Sequence, residues 1–80
     1  MLTLHLQYFA KLREERGVPT ETVQSAAQTP AQLYAELQSA HGLTAGQKSL
    51  RVAINETFAD WQQTLADGDT VVFIQPVAGG

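Results

Sequence analysis

The sequence has no cysteine, and its only histidines are His5 and His41. Without cysteine the chain has no disulfide, no thiolate metal ligand, no cysteine nucleophile and no persulfide of its own. No histidine pair and no histidine–carboxylate cluster has the spacing of metal ligands. We therefore expect no bound metal and no catalytic role for either histidine.

Basic residues and long apolar stretches are also scarce. Five cations against eight acids give a net charge of -3, which lacks the positive field that a phosphate backbone requires. The longest run of large apolar side chains covers only residues 71–74, whereas a membrane-spanning helix needs about 20 apolar residues. No basic segment leads into an apolar stretch at the N-terminus, as a secretion signal would require. The sequence predicts a cytoplasmic protein that binds neither nucleic acid nor membrane.

The chain is short, at 80 residues, and its composition of 44% hydrophobic and 16% charged residues is that of an ordinary folded domain. A domain of this size buries roughly 60% of the surface that its unfolded chain exposes. That leaves little room for an enclosed ligand pocket of about 300 Å³ or more. We therefore expect a single domain whose chemistry takes place on its outer surface.

Hydrophobic periodicity predicts two strands and two helices in the first half of the chain. The first strand alternates, with its inner face formed by Leu2, Leu4, Leu6 and Tyr8. Residues 10–16 favour a short helix ended by Gly17, and residues 20–26 favour a second strand antiparallel to the first. A longer helix is predicted over residues 30–41, because Thr29 suits its cap and Gln32 a capping box. Its apolar stripe is expected to contain Leu33, Leu37 and Ala40.

The second half of the chain predicts three further strands. Residues 51–54 favour a strand, Asn55-Glu56 a turn, residues 57–59 a short strand, and residues 70–75 a last strand after an Asp-Gly-Asp turn. This order predicts an α+β fold, the ubiquitin-like β-grasp, in which one main helix packs on a mixed sheet. The first and last strands are expected to be parallel neighbours. Residues 1–75 form the predicted domain and residues 76–80 an extended tail.

The tail, Pro76-Val77-Ala78-Gly79-Gly80, is the candidate reactive segment. Five extended residues span about 16–18 Å, and Gly79 and Gly80 have no side chain that would clash with the walls of a narrow channel. The terminal carboxylate is also open to the α-phosphate of ATP, because no Cβ stands beside its carbonyl. The opposing interpretation is a frayed end or a cloning remnant, since chain ends often have no function.

Three blocks of sequence resemble the small subunits of molybdopterin synthase, a family of ubiquitin-like sulfur carriers. Residues 8–14 (Tyr-Phe-Ala-Lys-Leu-Arg-Glu) resemble its opening signature, residues 52–56 (Val-Ala-Ile-Asn-Glu) its strand and turn, and residues 65–73 (Leu-Ala-Asp-Gly-Asp-Thr-Val-Val-Phe) its approach to the tail. The likeness covers essentially the whole chain. The family commonly has two consecutive prolines in the tail, whereas here Gln75 precedes Pro76, which loosens the tail without removing its reactive end.

The resemblance implies that Gly80 is the working residue. An adenylyltransferase similar to ubiquitin-activating enzymes would use ATP to adenylate its carboxylate, and a sulfurtransferase would convert the acyl adenylate to a thiocarboxylate. The tail would then enter the large subunit of molybdopterin synthase and give sulfur to cyclic pyranopterin monophosphate. The resemblance also implies a heterotetramer with two carriers, catalytic side chains on the large subunit, and no cofactor bound by this chain.

Because the same terminal chemistry serves other products, three alternatives stay open. The chain could carry sulfur for the thiazole of thiamin or for a thiolated tRNA base, although its length and residues 8–14 favour molybdopterin synthase. It could be a protein modifier that forms isopeptide bonds with lysines. It could also be a ubiquitin-like interaction domain with no covalent role.

Alternation also predicts a surface for partner binding. Tyr8 belongs to the inner face, so Phe9 lies outside, and Val72 and Ile74 lie outside in the last strand. Exposed apolar residues of this kind mark an interface, and the resemblance favours Phe9 and Ile74 for docking. The alternative is that one or both are buried under loops.

For two sets of charged residues the sequence favours a structural role over a functional one. Lys11, Arg13 and Arg16 lie near the predicted interface, and a solvated helix face is favoured over a role in steering an acidic partner. Asp67 and Asp69 fit turn chemistry better than a metal site or an acid–base pair.

Overall fold

The computed structural model describes residues 1–76, and these form five strands, two α-helices and one 3-10 helix. In chain order they are β1 (Leu2–Gln7), α1 (Ala10–Arg16), β2 (Thr20–Ser25), α2 (Pro30–His41), the 3-10 helix (Gln47–Ser49), β3 (Arg51–Ile54), β4 (Thr57–Ala59) and β5 (Thr70–Ile74). The predicted order is confirmed. The first, second and last strands each end one residue earlier than predicted.

The five strands form one mixed sheet in the order β2-β1-β5-β3-β4. β1 pairs antiparallel with β2 and parallel with β5, while β3 pairs antiparallel with both β5 and β4. The predicted parallel pairing of the first and last strands is therefore confirmed. β5 lies at the centre of the sheet, and it is this central strand that precedes the tail in the sequence.

Helix α2 begins and ends where its capping residues predict. The Thr29 side chain accepts a hydrogen bond of 3.2 Å from the Gln32 N–H, and Gly42 closes the helix in the left-handed conformation, with φ 66°. The Gln32 side chain reaches back as predicted, but it accepts from the N–H of Gln28 at 2.8 Å. That donor lies one residue before the one a capping box would use.

The predicted apolar stripe of α2 is wrong at Ala40, which is exposed. Tyr34 is buried beside Leu33 and Leu37, and Leu43 from the following loop joins the same core, so the last turn of the helix is not needed to cover the sheet. With 12 residues, α2 is the longest helix. No helix within residues 1–76 has both the length and the apolar character needed to cross a membrane.

The core lies between α2 and the inner face of the sheet. Its completely or almost completely buried side chains include Leu4, Leu6, Tyr8, Leu33, Tyr34, Val52, Val71 and Phe73. Phe73 is the centre of an aromatic cluster, with the Trp61 ring stacked on it at 5.8 Å and the Tyr34 ring tilted against it at 5.1 Å, centroid to centroid. Burial of each large apolar side chain contributes about 1.5–3 kcal/mol, so this core stabilises β5, the strand that leads to the tail.

The two aspartates of the turn before β5 serve that turn, as the sequence favours. Asp67 Oδ1 accepts a hydrogen bond of 2.7 Å from the Thr3 N–H. The Asp69 carboxylate accepts from the Ala66 N–H at 2.8 Å and from the Asn55 side-chain amide at 2.9 Å. These bonds hold the start of β5 against β1 and against the turn between β3 and β4.

Candidate functional site

The candidate site is the end of the sheet from which the tail leaves. Ile74, the last residue of β5, lies opposite Arg51 of β3, and the exposed residues Gln75 and Pro76 follow it. Pro76 is thus the only residue of the predicted tail within the described part of the chain. The other predicted tail residues, Val77, Ala78, Gly79 and Gly80, lie outside it.

An apolar strip crosses the outer face of the sheet beside this end. Val72 in β5 lies opposite Ala53 in β3, and Ala53 lies opposite Phe58 in β4. Residues opposite each other in an antiparallel pair point to the same face, so all three face away from the core. Phe58 is 66% exposed, and Ile74 lies on the same face, one step nearer the tail.

Phe9 lies beside this strip at the end of β1. Its neighbour Tyr8 is buried, whereas Phe9 is 55% exposed, as the alternation along β1 predicts. The parallel register pairs Gln7 with Val72. Phe9 follows Gln7 by two residues, as Ile74 follows Val72, so alternation assigns both to the outer face. Phe9 is therefore exposed as expected, and Val72 and Ile74 are half-buried on the outer face. Their role in partner binding stays a prediction.

Phe58 is the residue that the sequence reasoning missed. The signal was present: a two-residue turn at Asn55-Glu56 pairs residue 54 with residue 57 and residue 53 with residue 58. Because Ile54 belongs to the core, Ala53 and Phe58 must point outward. We define the docking face as Phe9, Phe58, Val72 and Ile74.

A charged cluster fixes the segment that carries Phe9. Arg16 donates two hydrogen bonds of 2.7 Å to the Glu21 carboxylate through Nε and Nη2, and the Tyr8 hydroxyl donates to the same carboxylate. The hydrogen bonds from Arg16 hold the pKa of Glu21 below its ordinary value, and burial raises the pKa of Tyr8, which keeps its hydroxyl protonated as a donor. The last residue of α1 is thereby tied to β2 and to the end of β1.

The chemistry available within residues 1–76 is that of a binding surface. No three His, Cys, Asp or Glu side chains of this part of the chain are arranged to hold a metal ion. Beside Pro76 lies a groove of about 460 Å³, open to solvent, whose lining includes Lys48, Arg51, Phe58 and Trp61. This end of the molecule therefore offers an exposed surface for another protein beside Pro76.

Comparisons with known proteins agree with this geometry. A family model described as the ThiS family matches residues 6–80. The molybdopterin synthase sulfur carrier subunit of Drosophila melanogaster is 33% identical over 87 residues, which cover 100% of this chain and 93% of the fly protein.

Two solved structures show the same fold. Small archaeal modifier protein 1 of Haloferax volcanii has a TM-score of 0.80 at 23% identity, over 96% of this chain and 100% of that chain. A chain in the complex of subunits 1 and 2 of the molybdopterin-converting factor from Helicobacter pylori has a TM-score of 0.69 at 24% identity, over 99% and 100% of the two chains. The α+β fold predicted from the sequence, the ubiquitin-like β-grasp, is confirmed.

Proposed function

Because this chain belongs to the ThiS family, we propose that it is a sulfur carrier and serves as the small subunit of molybdopterin synthase, with Gly80 as the residue that carries sulfur. Support from sequence comes from the fly sulfur carrier subunit, which matches over the whole chain. The structural observation that carries the proposal is the place where Pro76, the first residue of the predicted tail, leaves the sheet. This residue follows the central strand β5, whose end is bordered by the docking face.

The proposed chemistry takes place at the Gly80 carboxyl carbon. A carboxylate oxygen attacks the α-phosphate of ATP, pyrophosphate leaves, and an acyl adenylate forms. A persulfide on the sulfurtransferase then attacks the acyl carbon and AMP leaves, which gives an acyl disulfide. A thiol cleaves its S–S bond, so that a disulfide forms on the sulfurtransferase side and the thiocarboxylate is released on Gly80. Its sulfur attacks an oxygen-bearing carbon of the pyranopterin, and the C–O bond of that carbon breaks as the C–S bond forms. Water then hydrolyses the acyl–sulfur bond, which leaves the sulfur on the pterin and returns the Gly80 carboxylate for another cycle.

The proposed partners follow from this cycle. An adenylyltransferase supplies the nucleotide chemistry with ATP as its co-substrate, a sulfurtransferase supplies the sulfur, and the large subunit holds cyclic pyranopterin monophosphate and the catalytic side chains. The Helicobacter pylori complex of subunits 1 and 2 supports a large-subunit partner. The heterotetramer, the absence of a cofactor on this chain and the cytoplasmic location stay predictions.

We propose that the docking face binds the large subunit. Phe9 and Phe58 are exposed to 55% and 66%. Phe58 lies two strands from Val72, with Ala53 between them, and Phe9 follows the end of β1, the strand on the other side of β5. Aromatic residues are enriched at the centres of interfaces, where their burial supplies much of the binding free energy. Contact at this face would direct the tail into the partner without any change in the core.

The proposal is tested by the mass of the loaded protein. The full chain is incubated with its adenylyltransferase, ATP and a sulfur donor, and the expected product has one oxygen replaced by sulfur, localised to Gly80. Addition of the large subunit and cyclic pyranopterin monophosphate should restore the original mass. An unchanged mass, under conditions that load an established carrier, would contradict the proposal.

The same experiment distinguishes the alternatives. A thiocarboxylate that returns to carboxylate only with a thiamin-pathway or tRNA acceptor would assign the carrier to that pathway. Conjugates linked through Gly80 to lysines would indicate a protein modifier. The likeness to small archaeal modifier protein 1, at 23% identity, shows the fold alone, so modification is kept as an outcome of the test.

A further inference from the structure

Positively and negatively charged side chains are distributed unevenly between the two ends of the sheet. β1 and β5 are parallel and end at the same edge of the sheet, while β3 runs the other way and begins there. We call this edge the tail end, since Pro76 follows β5 there. The opposite edge, with the 55–56 and 67–69 turns, is the far end.

All five cations of the chain lie at the tail end. Lys11, Arg13 and Arg16 belong to α1, which connects the end of β1 to the start of β2, and these two points are paired as Gln7 with Thr20. On the other side of β5, Lys48 and Arg51 line the groove beside Pro76. Cations that are distant in the sequence thus flank the base of the tail on both sides.

The acids have the opposite distribution. Glu56, Asp67 and Asp69 lie in the turns of the far end. Glu36 lies at the same end, because its carboxylate accepts a hydrogen bond from the Ser25 hydroxyl, and Ser25 is paired with Leu2 at the start of β1. The far half therefore has four acids and, among the residues described, no Lys or Arg. It holds the negative charge of the chain.

Four acids also lie in the tail half, and three of them accept hydrogen bonds within the protein, Glu15, Glu21 and Asp60. Arg16 binds Glu21, and Thr44 donates hydrogen bonds of 3.1 and 2.6 Å to Glu15 through its N–H and its hydroxyl. Glu14 and Asp60 remain exposed. The same half has four exposed cations that form no salt bridge within residues 1–76, namely Lys11, Arg13, Lys48 and Arg51.

We propose that Lys11, Arg13, Lys48 and Arg51 form a basic collar around the tail base that steers the tail into partner proteins whose channel has an acidic rim. The proposal rests on the proposed function, because it concerns the proteins that receive the tail. A chain with a net charge of -3 is repelled by an acidic rim in most orientations and attracted only when the tail end approaches. Summed charges of this kind orient a molecule and raise its association rate.

Steering has a signature that differs from that of a structural role. Exposed ion pairs and isolated surface charges contribute little to folding stability, so neutralising the collar should leave the unfolding midpoint unchanged. Its effect should appear in the association rate constant and its dependence on salt, because exposed charges are screened over about 10 Å at 0.1 M ionic strength. The dissociation rate constant should change little.

The test is stopped-flow association of the full chain with its adenylyltransferase. We expect the association rate constant to fall at least about tenfold between ionic strengths of about 0.02 M and 0.5 M. The double variant Lys11→Gln/Lys48→Gln, which removes one collar charge from each side of the tail, should associate at least about threefold more slowly at low salt. It should also show a weaker dependence on salt.

The matched control changes the net charge by the same amount at the far end. Gln28→Glu/Ala66→Glu alters two exposed residues away from the tail and should leave the association rate constant within a factor of about two of the wild-type value. Equal slowing in both double variants, or a wild-type rate that does not respond to salt, would overturn the collar. Thiocarboxylate formation at saturating enzyme decides the proposed function separately, since loss of steering alone leaves it intact.

Discussion

At the residue scale, the side chain with the most consequences is Glu21, which the sequence reasoning did not single out. Its carboxylate accepts hydrogen bonds from both Arg16 and Tyr8, so one half-buried acid joins β2 to α1 and to the end of β1. Charge-assisted, bidentate pairs are stronger than ordinary hydrogen bonds. Removal of the acid would leave a buried phenol hydroxyl without its acceptor.

We predict that Glu21→Gln lowers the free energy of unfolding by about 1.5–3 kcal/mol at neutral pH and makes stability less sensitive to acid. The folded pKa of Glu21 is below its ordinary value of 4.5. Its stabilisation is therefore complete above that pH and is lost as the pH falls through the folded pKa. Urea unfolding of both proteins over this range checks the prediction, with the exposed Glu14→Gln as control. Parallel acid sensitivity of wild type and Glu21→Gln would contradict it.

Strain in the turn between β3 and β4 gives a second prediction at this scale. Asn55 and Glu56 both have positive φ, 52° and 70°, in a turn where glycine is the favoured second residue. Glu56→Gly should therefore raise the free energy of unfolding by about 0.5–1 kcal/mol, measured by urea unfolding.

Asn55→Gly is the matched control for that turn, because it relieves the same kind of backbone conformation. Asn55 also donates to Asp69 and accepts from the Thr70 N–H at 3.0 Å, and these bonds are lost with its side chain. We therefore expect Asn55→Gly to destabilise the protein. Stabilisation by Asn55→Gly, or destabilisation by Glu56→Gly, would show that strain does not govern this turn.

At the element scale, the junction between β1 and α1 departs from local rules. Phe9 occupies the N-cap position of α1 without a capping hydrogen bond from its side chain, and Ala10 follows with φ 50°. Ser, Thr, Asp or Asn would cap the helix better. The Phe9 ring is 55% exposed, and a capping residue in its place would give the proposed docking face no apolar contact.

The docking face gives the prediction at this scale. Phe9→Asp, Ile74→Asp and Phe58→Asp should each weaken binding of the large subunit about tenfold or more, because each places a charge in an apolar interface. The unfolding midpoints of Phe9→Asp and Phe58→Asp should change little, since both side chains are exposed. Affinity by titration calorimetry checks this, with Thr57→Asp as the control, because Thr57 is also exposed on β4 but pairs with Ile54. Unchanged affinity in the three variants would remove the docking face.

At the scale of the whole molecule, the fold and the proposed reactive end are separate. Within residues 1–76, every buried side chain of the core lies between residues 4 and 73, and Pro76, the described residue of the predicted tail, is exposed. Function is proposed at the end of the chain, and stability resides in the sheet and α2. A change at the chain end should therefore alter sulfur loading without altering the free energy of unfolding.

We predict that deletion of Gly80 abolishes thiocarboxylate formation while the free energy of unfolding stays within about 0.5 kcal/mol of the wild-type value. The physical reason is that deletion moves the carboxylate by one residue, about 3.3–3.6 Å, and removes no side chain, since residue 80 is glycine. Mass spectrometry after incubation with the adenylyltransferase, together with urea unfolding, checks both parts. Normal loading of the shortened chain, or a large loss of stability, would contradict the separation.

Most of the fold could be predicted from the sequence because its signals are local. Alternation in β1 identified its inner face, Thr29 and Gly42 marked the ends of α2, and the Asn55-Glu56 turn separated β3 from β4. The tail was also predicted from a local feature, the two glycines after the last strand. Such patterns depend on backbone geometry within a few residues, which the chain order alone specifies.

Only the tertiary structure decided which distant residues meet. The register of β5 between β1 and β3 brings Phe9 and Phe58 to one face, and it gathers Lys11 and Lys48 on the two sides of the tail. The sequence alone favoured a solvated face for the basic residues of α1, because nothing near them in the chain pointed to Lys48 or Arg51. Strand pairing between remote segments depends on the packing of the whole core, and a local pattern does not specify it.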